Sequence, residues 1–185
     1  MHHRLLIPAA LAASLSCLSP LTAAGAEGTS VITEIRGGVL YHDPDIWGGS
    51  GNEEGIDFNA ELIFSPSLEI AGGVIRPVAG LSINDQGNTS KIYAAAVYEY
   101  AWKNGLFLDL GLGLTLHNGE TDDEELSDEN NLLGSPVLFR ISIEPGVTFR
   151  NRHRLSVLFD HVSNGYLADP NEGLDTIGFR YGWRF

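Results

Sequence analysis

Leu106-Phe107-Leu108-Asp109-Leu110-Gly111-Leu112-Gly113-Leu114-Thr115-Leu116 puts a leucine at every second position. Successive side chains of a strand point to opposite faces, so all the leucines share one face. Asp109, Gly111, Gly113 and Thr115 take the other. A helix, with its period of 3.6, would scatter this pattern around its circumference.

The same period recurs along the chain. Ile56, Phe58, Ala60, Leu62 and Phe64 oppose Asp57, Asn59 and Glu61. Val137, Phe139, Ile141, Ile143, Val147 and Phe149 oppose Arg140, Ser142, Glu144 and Thr148, and Ile177, Phe179, Tyr181, Trp183 and Phe185 oppose Thr176, Arg180 and Arg184. Breaks at Gly, Asn, Asp and Pro delimit eight predicted strands at 29–43, 55–65, 73–84, 90–102, 105–117, 136–149, 154–163 and 175–185. No run after residue 27 is long and apolar enough for a membrane helix.

A soluble sandwich or lipocalin-like barrel also alternates. Three features favour an all-β, eight-stranded antiparallel transmembrane barrel of the outer membrane. Charges of both signs sit mid-strand on the polar faces: Glu34, Arg36, Asp57, Glu61, Arg76, Glu99, Asp109, Arg140, Glu144, Asp160 and Arg180. They would pair inside a barrel just wide enough for side chains, leaving no pore. The connections alternate too: 66–72, 103–104 and 150–153 are short, whereas 44–54, 85–89, 118–135 and 164–174 are mostly longer, as in barrels with short periplasmic turns and long external loops. Finally, Trp102, Phe149 and Trp183 fall near the turn side, where an aromatic girdle belongs, and the chain ends in alternating aromatics up to Phe185.

The first 26 residues differ. Arg4 is the only Asp, Glu, Lys or Arg before Glu27; an apolar stretch runs from Leu5 to Leu18, and Ala24-Gly25-Ala26 has the small-x-small form of a cleavage site. Residues 1–26 therefore read as a secretory signal and 27–185 as the barrel. The 185 residues carry 11 Lys and Arg against 24 Asp and Glu, a net charge of −13, which argues against nucleic acid as partner. With 43% hydrophobic residues the chain is not a disordered one, and its single cysteine, Cys17, excludes an internal disulfide framework.

The candidate site lies at 159–175. Leu155, Val157, Phe159, His161 and Ser163 share a strand face, so the last two continue the lipid-facing row at its external end. An imidazole beside a hydroxyl is the pairing that takes a proton from a serine nucleophile. Asp175 shares parity with Ile177 and Phe179 on the next strand, where a carboxylate would hold the histidine tautomer and stabilise an imidazolium. The competing reading is of polar residues at the head-group boundary.

His161-Val162-Ser163-Asn164-Gly165, then Pro170-Asn171-Glu172-Gly173-Leu174-Asp175 and a short aromatic-rich final strand, resembles the lipid A 3-O-deacylase family of Gram-negative outer membranes. The specific resemblance covers residues 159–185. It implies His161 as base, Ser163 as nucleophile and, fourteen residues after the histidine, Asp175 as the acid, where the best-known members carry Glu. It also implies that Asn164 and Asn171 organise the site or help bind the oxyanion. The expected activity is hydrolysis of an ester-linked acyl chain of lipid A, with no cofactor and no metal, on an external face that meets the outer leaflet. Two other readings remain open on sequence: a non-enzymatic structural or adhesion barrel, and a lipid A acyltransferase. The oligomeric state is also open, a homodimer included.

The remaining motifs say less. Glu120, Asp122, Asp123, Glu124, Glu125, Asp128 and Glu129 read as a solvated external loop, with weak divalent-cation binding as the functional alternative. His42 and His117 end strands externally without metal-ligand spacing, and His153 lies in a basic periplasmic turn with Arg150, Arg152 and Arg154.

Overall fold

The computed structural model describes residues 30–49, 51–122 and 130–185. The expected signal segment and most of the acidic stretch 120–129 lie outside them. Among the described residues nine strands form: β1 (Ile32–His42), β2 (Ile56–Phe64), β3 (Leu68–Ile70), β4 (Gly73–Asn84), β5 (Lys91–Ala101), β6 (Leu106–His117), β7 (Val137–Phe149), β8 (His153–Ser163) and β9 (Leu174–Arg184). Every pairing between these strands is antiparallel. β1 pairs with both β2 and β9, and β2 pairs with β4, which closes the sheet into a barrel. Closure leaves no row of unpaired backbone groups, which hydrocarbon would not tolerate.

The eight-stranded wall stands, and one connection differs from a plain turn. The connection 66–72, expected to be a plain turn, contains β3. Ile63 faces Val78 on β4 and Leu68 faces Ile75, so two residues are inserted on the β2–β3 side. Pro66 lies in that insertion and has no N–H for the ladder. β2 and β3 are thus one wall strand interrupted by a bulge, and the wall remains eight-stranded.

The polar faces turn inward. Glu34, Arg36, Asp57, Glu61, Glu99, Asp109, Arg140, Glu144, Asp160 and Arg180 are all buried, while Arg76 stays partly exposed. Lys91 joins them, and so does Arg154, expected in the basic turn. Arg154 shares parity with Ser156 and Asp160, so pairing of β8 from His153 onward carries it into the lumen. Its guanidinium lies 3.4 Å from the centre of the Phe107 ring and 2.9 Å from Glu34, and it also meets Glu99. Arg36 bridges Glu34, Asp109 and Glu144 at 2.6–2.7 Å, Arg180 reaches Glu61 at 2.9 Å, and Asp160 takes both Arg140 and Lys91 at 2.6 Å. Burying charges costs several kcal/mol per ion unless the partners are well placed, so these pairs hold the interior filled more than they add stability.

The outer face is apolar: Val39, Phe58, Leu112, Leu114, Ile141 and Phe179 are exposed, where lipid tails would cover them. At the periplasmic rim Tyr100 meets Trp102 edge-on at 4.9 Å, and His153 sits between Phe149 and Trp183. At the external end Leu133, Leu138, Val162 and Leu174 form a small buried cluster that backs the ends of β8 and β9.

Candidate active site

Register places the candidate residues. His161 lies opposite Asp175 across the β8–β9 pair, and Ser163 follows two residues later on the same face. The Asp175 carboxylate Oδ1 accepts from His161 Nδ1 at 2.7 Å. With that proton on Nδ1, Nε2 offers its lone pair to the Ser163 hydroxyl, 3.1 Å away. The structure therefore brings together all three residues that the strand parity grouped. Such a chain lets the imidazole receive the serine proton while the carboxylate holds its tautomer.

The surroundings differ from an open lipid-facing row. Asp175 is fully buried and His161 is 9% exposed. The cover comes from the first external connection, residues 43–55, which no sequence feature tied to the site. Backbone N–H groups of Ile46, Trp47 and Gly48 point at Asp175 Oδ2, at 2.9, 2.6 and 3.4 Å. The Trp47 ring lies 5.1 Å from the imidazole centre, tilted by 35°, and packs on Phe159 beyond it. The one local sign was a tryptophan beside Gly48-Gly49, a pair that permits close backbone approach. The segment it approaches is 127–129 residues away.

Asn164 and Asn171 fold the last external connection. The Asn164 amide donates to the carbonyls of Leu133 (3.0 Å), Ala168 (3.0 Å) and Pro170 (2.8 Å), and its backbone N–H donates to Asn171 Oδ1 at 3.0 Å. Of the two roles the resemblance implied, these contacts fit organisation of the site. Glu172 is directed elsewhere: its carboxylate accepts from the Leu132 N–H at 2.7 Å.

A second polar cluster clamps the connections. His42, fully buried, bridges Asp57 (2.7 Å) and Glu53 (2.9 Å). Glu53 also accepts from the N–H and hydroxyl of Thr89 and from the N–H of Asn131. The Asn131 amide in turn reaches Asp43 at 2.9 Å and the Gly173 carbonyl at 3.2 Å. Four connections thus meet beside Asp175. The sequence showed His42 only as a strand end, because its carboxylate partners lie 11 and 15 residues away across a long loop. Among the described residues no cluster of His, Cys, Asp and Glu is arranged to hold a metal ion.

A curated relative, lipid A deacylase PagL of Pseudomonas aeruginosa, is 31% identical over 86 residues, 46% of each chain. The aligned part thus spans about half the length of that relative. The crystal structure of the outer membrane enzyme PagL superposes with a TM-score of 0.60 at 22% identity, over 82% of this chain and 99% of that one, which shows a common fold. The model of the family described as lipid A 3-O-deacylase (PagL) matches residues 13–184, and with nearly the whole barrel inside that match, the chain belongs to the lipid A 3-O-deacylase family of outer-membrane barrels.

Proposed function

We propose that this protein is an outer-membrane serine esterase that hydrolyses the ester-linked acyl chain at the 3-O position of lipid A. Ser163 is the nucleophile, His161 the base and Asp175 the orienting acid. The observation that supports this best is the continuous hydrogen-bonded chain from Asp175 through His161 to Ser163 on the outward face of β8 and β9. In the alternating arrangement of short turns and long loops, that end of the barrel lies at the outer leaflet.

The chemistry follows from the geometry. The Ser163 oxygen attacks the ester carbonyl while His161 Nε2 takes its proton, giving a tetrahedral oxyanion. The imidazolium that results is stabilised by Asp175. As the oxyanion collapses, the bond between the acyl carbon and the sugar oxygen breaks, that oxygen takes the imidazolium proton and leaves as a hydroxyl, and the acyl group remains on Ser163. Water, deprotonated by His161, then releases the hydroxy fatty acid. The interior packed with ion pairs has no room for acyl chains, so the reacting ester stays in the membrane plane.

Purified Ser163→Ala should assemble normally and release no hydroxy fatty acid. Mass spectrometry of lipid A from cells with and without the protein should show loss of one hydroxyacyl group. A gained acyl chain would indicate a transferase, and unchanged lipid A a structural barrel. Full activity in Ser163→Ala would reject the serine mechanism.

A further inference from the structure

We propose that Ile46–Gly48 is a positioning element of the catalytic unit, with Trp47 at its centre: the backbone N–H groups of this segment fix the free oxygen of Asp175. The proposal rests on the serine-esterase reading and adds a part to it.

A carboxylate held by one oxygen can still swing about its last torsion. Here Oδ1 binds His161 and Oδ2 is the target of three successive amides. Convergent N–H groups of this kind form an anion-holding concavity. They favour an ionised, singly oriented Asp175, which is what the imidazolium requires. The segment is stapled on both sides of the acid. The Gly173 N–H donates to the Gly48 carbonyl at 2.7 Å, and the Asp43 N–H donates to the Asp175 carbonyl at 2.9 Å.

The fit around the imidazole is as tight. A Cβ on Gly48 would come within 3.2 Å of His161 Cε1. One on Gly173 would lie 2.7 Å from the same atom and 2.5 Å from the Gly48 carbonyl. Only glycine lets both segments close on the ring edge while Trp47 covers its face. The amides of residues 46–48 stand directly behind the Asp175 carboxylate and occupy the space that a longer acid would need.

Proline substitution at residue 47 removes the nearest donor, and Trp47→Phe retains it. Turnover of lipid A in mixed detergent micelles should be far higher in Trp47→Phe, which keeps the donor, than in Trp47→Pro. It should fall about a hundredfold in Trp47→Pro, the scale of a 1 Å misplacement of a catalytic group. In an Asp175→Ala background Trp47→Pro should cost nothing further, because both changes remove one function. The direct readout is the far-downfield proton resonance of His161 Nδ1–H, measured in Ser163→Ala protein, where no reaction interferes. It should persist in Ser163→Ala and be lost or shifted in Ser163→Ala/Trp47→Pro. If Trp47→Pro does not assemble, Ile46→Pro removes the donor at 2.9 Å instead and should shift the same resonance. Losses that add in the Asp175→Ala background, or a resonance unmoved by either variant, would overturn the positioning role. Activity surviving in Ser163→Ala would instead reject the serine mechanism, and the resonance arm would still report on the segment.

Discussion

At the residue scale, the acid decides how much of its relatives' chemistry this site reproduces. From sequence, Asp175→Glu is expected to keep substantial activity, since the resemblance implies a glutamate at this position. The enclosed carboxylate reverses that expectation. Both oxygens are engaged and the side chain is fully buried, so an extra carbon–carbon bond of about 1.5 Å has nowhere to go. Asp175→Glu should therefore lose about a hundredfold in turnover, with assembly unchanged. The check is single-turnover release of fatty acid beside heat-modifiable gel mobility. Wild-type turnover in this variant would mean that residues 46–48 yield easily. Glu172→Gln, by contrast, should change turnover little, because Glu172 binds the Leu132 N–H and does not touch His161.

Among the elements, the first external connection is the one whose attachment matters. Its described residues form no strand or helix, only the bridge of Gly49 to Gly173, so its hold on Asp175 depends on the clamp built around Glu53. Burial raises the Glu53 pKa, but hydrogen bonds from His42, Thr89 and Asn131 outweigh it and leave the group below the usual glutamate value. A depressed acid contributes stability that is fully present above its unfolded pKa, about 4.3. That contribution is lost as pH falls through the lower folded value. Hydrogen exchange of residues 43–55 should thus be slow and pH-independent in its opening free energy near neutrality, and the segment should open only below the ordinary glutamate range. Glu53→Gln should open it at neutral pH. Protection equal to the parent in Glu53→Gln would show that the clamp does not hold the connection.

For the whole molecule, the ion pairs fill the space that an open pore would occupy. Glu144 is central to them: its carboxylate accepts from Arg36 at 2.7 Å and from Arg180 Nε at 3.0 Å, and it also meets Arg180 Nη2 and Ser156. Glu144→Leu leaves two buried guanidinium groups short of a partner. Removing one member of a buried pair costs about 3–5 kcal/mol, so this variant should unfold at clearly lower denaturant than the parent in detergent or vesicles. A stability equal to the parent's would show that water or a neighbouring carboxylate replaces Glu144 freely. The lesion is more than 30 residues from Asp175 in β9 and on the opposite face of the wall, so turnover of the assembled fraction should persist.

The sequence by itself determined the wall and its two faces. A period of two assigns each side chain to lipid or lumen from its position alone, so the leucine row of β6, the inward charges and the shared face of His161, Ser163 and Asp175 were all legible. The same logic applied to Arg154 once β8 began at His153, and its place in the lumen turned on where the strand starts. Pairing across the closed barrel decided the rest. Which guanidinium meets which carboxylate depends on the stagger of strands that are distant in sequence, and the bulge that separates β2 from β3 appears only against β4. The amides on Asp175 and the ring on His161 come from an irregular loop 127–129 residues away from the acid. A loop has no period to read, so only the folded barrel, by bringing the ends of β1 and β9 side by side, could set Trp47 against the site.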